Sequence, residues 1–223
     1  RNYVSYAFKA GNLTSGSNTD GSITSTVSVN QTAGFSIVKY TGGNSASDTV
    51  GHGLTDAEMI ILKDITDGTN HWRVWHKDLT TNYWLYLSLT LGEANAATDG
   101  GLKNVDADTF GFINGTTDGI EGVNSSSSDY IAYCFKSVKG YQKIGTYTGT
   151  GSSNSITGVG FQPRFVMVKR TNSTGNWELY DSTRGEHKVL QADNSTTEYD
   201  YSTTGLASFD SDGFTVAGTG GNH

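Results

Sequence analysis

One recognisable unit occurs about twice in this chain of 223 residues, and the two copies are cut out of phase. Tyr130-Ile-Ala-Tyr-Cys-Phe-Lys136 repeats Tyr3-Val-Ser-Tyr-Ala-Phe-Lys9. Gly205-Leu-Ala-Ser-Phe-Asp-Ser-Asp-Gly-Phe214 repeats Gly101-Leu-Lys-Asn-Val-Asp-Ala-Asp-Thr-Phe110. Between these landmarks Tyr147-Thr-Gly149 matches Tyr40-Thr-Gly42, Arg164–Lys169 matches Glu58–Lys63, and Asn176–Tyr180 matches His71–Trp75, at an offset near one hundred residues. The first copy ends on a strand-like segment for which the second copy has no counterpart. A copy of that segment stands at the N-terminus instead. A β unit without one of its strands must find it elsewhere or expose an edge, so this phase constrains connectivity more than any single motif does.

The repeated segments alternate apolar and polar residues with period two. In Tyr3–Lys9, Val4, Tyr6 and Phe8 share one face. No 3.6-residue apolar period persists for three turns, and Gly, Asn and Asp mark turns between short runs rich in Val, Ile, Thr and Tyr. This predicts an all-β chain of two tandem jelly-roll-like antiparallel β-sandwich units, with the N-terminal strand completing a neighbouring or terminal unit. The expected boundaries are an orphan strand at 1–13, a linker at 14–33, a first sandwich at 34–137 and a second at 138–223. An apolar fraction of only 35% suits two thin sandwiches, which need apolar residues on their inner faces alone.

The formal net charge is −7 and no Lys/Arg cluster occurs, which argues against phosphate-backbone binding to nucleic acid. No apolar run approaches the length of a membrane span. The chain starts with Arg1 rather than Met, as a segment of a longer protein would. Cys134, the single cysteine, falls in an apolar strand and is expected to be a buried, inert thiol.

Two constellations merit weighing. Trp75, His76, Trp84 and Tyr86 form an aromatic-rich hairpin whose rings could lie against a sugar face or a partner, whereas Trp72, which matches Trp177, is expected in the core. Asp106 and Asp108 match Asp210 and Asp212; such loop carboxylates could hold Ca²⁺, although a turn capped by Asp side chains is the simpler reading and neither site is an EF-hand loop. His52, His71, His76, His187 and His223 show no metal-ligand spacing. No Gly-x-Ser-x-Gly elbow and no paired acidic motif appears, so no catalytic set is expected.

Several runs resemble a known family: Gly140–Gly149, Gly158-Val-Gly-Phe-Gln-Pro-Arg-Phe-Val-Met-Val-Lys169, Tyr180-Asp-Ser-Thr-Arg-Gly185, Phe209–Phe214 and Tyr130–Phe135. They are similar to the repeats of large virion-associated proteins of bacteriophages, themselves akin to concanavalin-A-like (laminin-G-like) jelly rolls. The resemblance covers most of residues 34–223, and the first unit departs from it at Leu54–Glu58, which lacks the Phe-x-Pro of 161–163. It implies a structural or adhesive module on a virion or other extracellular surface, such as an appendage or tail fibre, with self-assembly or other virion proteins as partners and no cofactor. A lectin-like module binding cell-surface glycan is the alternative, and a polysaccharide-degrading enzyme a more distant one. Tyr3, Val4, Tyr6 and Phe8 are then the expected strand-addition residues, closing either the chain's own second unit or that of a neighbour. Otherwise both ends are cuts through a longer chain, whose next strand would follow His223.

Overall fold

A computed structural model describes residues 3–11, 15–116 and 121–218. The chain is nearly all β, and every ladder between its strands is antiparallel. The first unit contains β1 (Gly16–Asn18), β2 (Ser25–Asn30), β3 (Phe35–Thr41), β4 (Thr49–Gly51), β5 (Met59–Asp64), β6 (Arg73–His76), β7 (Tyr83–Tyr86), β8 (Ala94–Asn95), β9 (Gly101–Lys103), β10 (Thr109–Ile113) and β11 (Asp129–Phe135). Two four-residue helices, α1 (Ala96–Asp99) and α2 (Glu121–Asn124), lie between them. Asn95 caps α1 by accepting the Ala97 N–H at 2.9 Å.

These strands form an eight-stranded sheet in the order β1-β2-β3-β11-β5-β6-β7-β8 and a three-stranded sheet in the order β4-β10-β9. The alternation read from sequence decides which side chains enter the core. Along β5, Ile60 and Leu62 are buried while Ile61 and Lys63 are half-buried on the other face; along β11, Tyr130, Ala132 and Cys134 point inward. They meet Val50, Leu102, Phe110 and Phe112 from the smaller sheet, all at most 3% exposed. Burial pushes the Cys134 thiol up to about 12, which keeps it protonated and unreactive.

β11 is last in the unit yet lies at the centre of its large sheet. It pairs with β3 from Asp129↔Thr41 to Phe135↔Phe35 on one side, and with β5 from Tyr130↔Asp64 to Phe135↔Met59 on the other. Without it, β1-β2-β3 and β5-β6-β7-β8 would be separate sheets.

The second unit contains β12 (Asn154–Ile156), β13 (Phe165–Val168), β14 (Glu178–Asp181), β15 (Lys188–Gln191), β16 (Tyr199–Asp200), β17 (Leu206–Asp210) and β18 (Gly213–Val216). Their sheets, β13-β14-β15-β16 and β12-β18-β17, reproduce β5-β6-β7-β8 and β4-β10-β9 strand for strand. The register agrees too. Ile60↔Trp75 and Leu62↔Arg73 of the first unit become Val166↔Tyr180 and Val168↔Glu178 in the second. The duplication is therefore structural as well as sequential. At one equivalent pair the buried charge is reversed. Arg73 stacks 4.7 Å from the Trp84 ring and donates to the Gly122 carbonyl at 2.7 Å, an approach that only a glycine at 122 leaves room for, whereas Glu178 accepts from the Tyr180 hydroxyl at 2.6 Å.

The two units meet through the outer faces of equivalent strands. Val74, Leu85 and Trp177 form the centre of this contact, flanked by Ile61 and its counterpart Met167, and the Trp177 indole donates to the Tyr86 carbonyl at 2.8 Å.

Two expectations need correction. The expected linker 14–33 is, over its described residues 15–33, part of the first unit: β1 and β2 extend the large sheet, because Thr26–Asn30 alternates inward Val27 with outward Ser28 and pairs with Phe35–Lys39. The signal was hidden by the Ser, Thr and Asn of an edge hairpin. Tyr3–Lys9 is extended but belongs to no sheet, and is described below. Part of the orphan segment 1–13, like His223, lies outside the described residues.

His52 is fully buried, its Nδ1 accepting from the Leu54 N–H and its Nε2 lying 3.2 Å from the Asp106 carbonyl. That arrangement fits the neutral imidazole, with Nε2 as donor. Burial lowers its pKa, against the opposing pull of Asp106, Asp108 and Asp56, and burial likewise lowers that of His76. The unfolded chain takes up these protons below about pH 6.5 and the folded chain does not, so their contribution to stability is full above that pH and is lost as pH falls. Chemical denaturation at pH 7 and at pH 5 should show a lower unfolding free energy at pH 5, and replacing His52 and His76 together by Gln should flatten the difference. Phe110→Ala, at a fully buried site, should cost about 3–5 kcal/mol. The equivalent Phe214→Ala, in the smaller core, should cost less in the same urea titration.

Candidate functional site

The second unit has an open side where the first has its central strand. Among the described residues β13 pairs only with β14, and residues 143–153, which include most of the counterpart of β3, belong to no strand. The edge that β13 presents is Phe165-Val-Met-Val168, apolar throughout and bracketed by Arg164 and Lys169. Unpaired apolar edges of this kind are templates for strand pairing.

The surroundings of the slot are already in place. In the first unit Tyr40 stacks on Tyr130 of β11 at 5.0 Å and meets Phe110 edge-on at 5.9 Å. Tyr147, the counterpart of Tyr40, meets Phe214, the counterpart of Phe110, edge-on at the same 5.9 Å. The second unit thus holds the aromatic wall against which an inserted strand would set its first tyrosine.

Tyr3–Lys9, the segment that copies β11, lies nearby without entering. No backbone hydrogen bond joins it to another strand among the described residues. Tyr3, Val4, Tyr6 and Phe8 supply four of the eight large hydrophobic side chains exposed in the described structure, Tyr3 being 83% exposed. Its root is fastened to β2: the Ala10 carbonyl accepts from the Ser28 hydroxyl and the Lys9 carbonyl from the Asn30 amide at 3.2 Å. Gly11, at φ +98°, passes so close to the Val29 backbone that a side chain there would clash. Phe8 packs against Phe35 and Phe135, with ring centroids at 5.5 and 5.7 Å. Tyr6 then reaches the second unit, where its ring lies 4.8 Å from Phe165 and its hydroxyl donates to Asp181 at 3.0 Å. The Arg184 guanidinium ties Asp181 and Glu198 together and donates to the same Tyr6 hydroxyl at 3.3 Å. Burial, then the bond to Asp181, raises the Tyr6 pKa and keeps its phenol protonated.

The remaining sequence candidates fall elsewhere. Trp84 and Tyr86 are core residues, 2% and 7% exposed, and Trp75 packs on the same core, so the aromatic hairpin presents no open platform of rings. The inward turn of Trp84 follows from Arg73, whose cation it covers. Trp72 is half-buried and stacks on Tyr133 at 6.3 Å, while its counterpart Trp177 holds the deeper place. His76 is half-buried beside Asp78. Asp106 caps its turn by accepting from the N–H groups of Asp108 and Thr109. Asp210 accepts from Ser208 and Thr215, and Asp212 from the N–H groups of Gly158 and Gly160, while Asp108 is exposed. Asp106 and Asp210 bond locally and Asp212 ties its turn to the 158–160 loop, and among the described residues no group of three or more His, Cys, Asp or Glu is placed to hold a metal ion. No helix of the described residues is long and apolar enough to cross a membrane. A shallow groove of about 480 Å³ on the second unit is lined by Arg164, Arg184, His187, Lys188 and Asp200. Its charges are largely paired within the chain, Lys188 with Asp200 at 3.3 Å and Arg184 as above.

Sequence reasoning identified both halves of this site, the missing strand and its copy. It missed the anchoring of Lys9 and Ala10, which depends on β2, read as linker, and the capture of Phe8 by Phe35 and Phe135. In hydrogen exchange of the dilute protein, the amides of Tyr3–Lys9 should exchange fast, while those of Asp129–Phe135, paired on both sides, should be among the slowest.

No curated protein and no solved structure matches the chain. Its sequence matches one family twice, over residues 1–192 and over residues 146–223, as suits a chain that contains its unit more than once. The chain belongs to that family, a domain of unknown function (DUF7483).

Proposed function

We propose that this chain is a structural module of an extracellular assembly, a phage virion appendage or fibre protein. One observation carries the reading: the chain builds the same β unit in tandem, with the strand order and register of β4–β10 repeated in β12–β18. Tandem units that contact mainly their neighbours build extended structures. The resemblance of both units to repeats of virion-associated proteins supplies the setting. A surface rich in Ser, Thr, Asn and Gly, with few charged residues, suits a decoration exposed to the medium. The acidic balance, with a net charge of −7, fits partners that are proteins rather than nucleic acid. The glycan-binding alternative loses its main support, since Trp84 and Tyr86 are buried. Mass spectrometry of purified particles from the source, followed by immunogold electron microscopy with antibodies raised to the chain, should find it on a particle or filament surface. Recovery of the chain only from the soluble fraction of infected cells would reject the reading.

A further inference from the structure

We infer that the loop 90–93 of the first unit is a clasp for the β13–β14 loop of the second, and that it holds the two units as one rigid body. Units joined by a short connection ordinarily move against one another. Here three separate attachments oppose that motion. The clasp begins with backbone: the Glu93 N–H donates to the Thr171 carbonyl at 2.7 Å and the Gly175 N–H to the Thr90 carbonyl at 2.8 Å. Lys169 completes it. Its ammonium donates to the Arg170 and Gly175 carbonyls at 2.9 Å and to that of Thr90 at 3.2 Å, so that each of its three N–H groups has an acceptor. Lys63, its counterpart, grips only its own loop, through the Asp67 and Asn70 carbonyls at 3.1 and 2.6 Å. The reach to Thr90 is what the second copy adds to a shared device. Gly92 lies directly under the clasped loop: a Cβ there would stand 2.6 Å from the Thr171 carbonyl oxygen and 3.0 Å from the Ser173 nitrogen.

The second attachment is the apolar contact around Trp177, whose indole donates to the Tyr86 carbonyl. The third is the connection between the units, which is itself tied down. The Ser137 N–H donates to the Glu58 carboxylate at 3.2 Å, and the Gln142 amide to the Lys136 and Gly34 carbonyls at 2.7 and 3.2 Å. The Ile144 N–H donates to the Ser137 hydroxyl at 3.0 Å, which fixes the connection to the first unit as far as that residue. Tyr147 already packs on Phe214 of the second core. Only Gly145 and Thr146 lie between the two holds. A hinge works by a few residues absorbing large changes in φ and ψ; these two are flanked by fixed chain and bypassed by the clasp. Within the assembly proposed above, such a joint makes tandem units a stiff segment rather than a string, but the joint belongs to the free chain and stands without that reading.

The test uses the whole 223-residue chain with nitroxide labels on Ser47→Cys and Ser195→Cys, exposed positions in the first and second units; Cys134 is buried and unreactive. Pulsed dipolar spectroscopy of this parent should give one narrow distance distribution. Gly92→Val enlarges a loop residue that belongs to neither core, and Lys169→Met removes the donor to Thr90. Each should replace the narrow peak by a broad one, while circular dichroism stays that of the parent. A broad distribution in the parent would overturn the joint, as would distributions that stay narrow in both variants. A narrow parent distribution in a chain that no particle carries keeps the joint and rejects the assembly reading. A broad one in a chain found on particles does the reverse.

Discussion

The ladder that β11 makes on both sides holds the architecture of the first unit together. A strand added last, between a hairpin sheet on one side and a meander on the other, satisfies two rows of backbone groups at once and turns two open edges into one continuous sheet. It also delivers Tyr130, Ala132 and Cys134 to the core, so backbone pairing and apolar burial arrive together. Such closure is non-local: Phe135 comes back to Phe35 across nearly the whole unit. Contacts of that kind are entropically costly to form and arise late or cooperatively.

The second unit shows what remains when that ladder is absent. Its β13–β16 meander and its three-stranded sheet still form and still enclose Val166, Tyr180, Val189, Leu206 and Phe214, but the counterpart of β3 stays outside any sheet. Docking on the first unit through Trp177 and Met167 covers one face, and among the described residues the free edge of β13 carries no strand.

Much of this was legible in the sequence. The duplication, the all-β class and the copy of β11 at the N-terminus follow from repeated motifs and period-two alternation, both local properties. What escaped was non-local. Residues 25–30 look like a polar linker because β2, near the edge of the large sheet, buries only Ser25 and Val27. Trp84 looks like a surface aromatic because the buried Arg73 that it covers lies on the neighbouring strand, and the repeat has Glu178 at that place. The strand character of Tyr3–Lys9 was legible and yet unrealised in the single chain, because strand identity depends on a partner as well as on a pattern.

The reversed charge at Arg73 and Glu178 bears on how a duplicated chain finds its own pairs. Two units with the same strand order and register invite a hairpin of one to fold into the other, the characteristic error of repeat proteins. A β14 hairpin that strayed into the first core would bring a carboxylate to a place shaped for a cation, facing the Trp84 ring and the Gly122 carbonyl; β6 in the second core would bury a guanidinium where an acceptor is needed beside Tyr180. A buried charge without its partner is among the most destabilising substitutions known. One pair of residues therefore works as a lock and key within the chain, making two cores of common descent non-interchangeable.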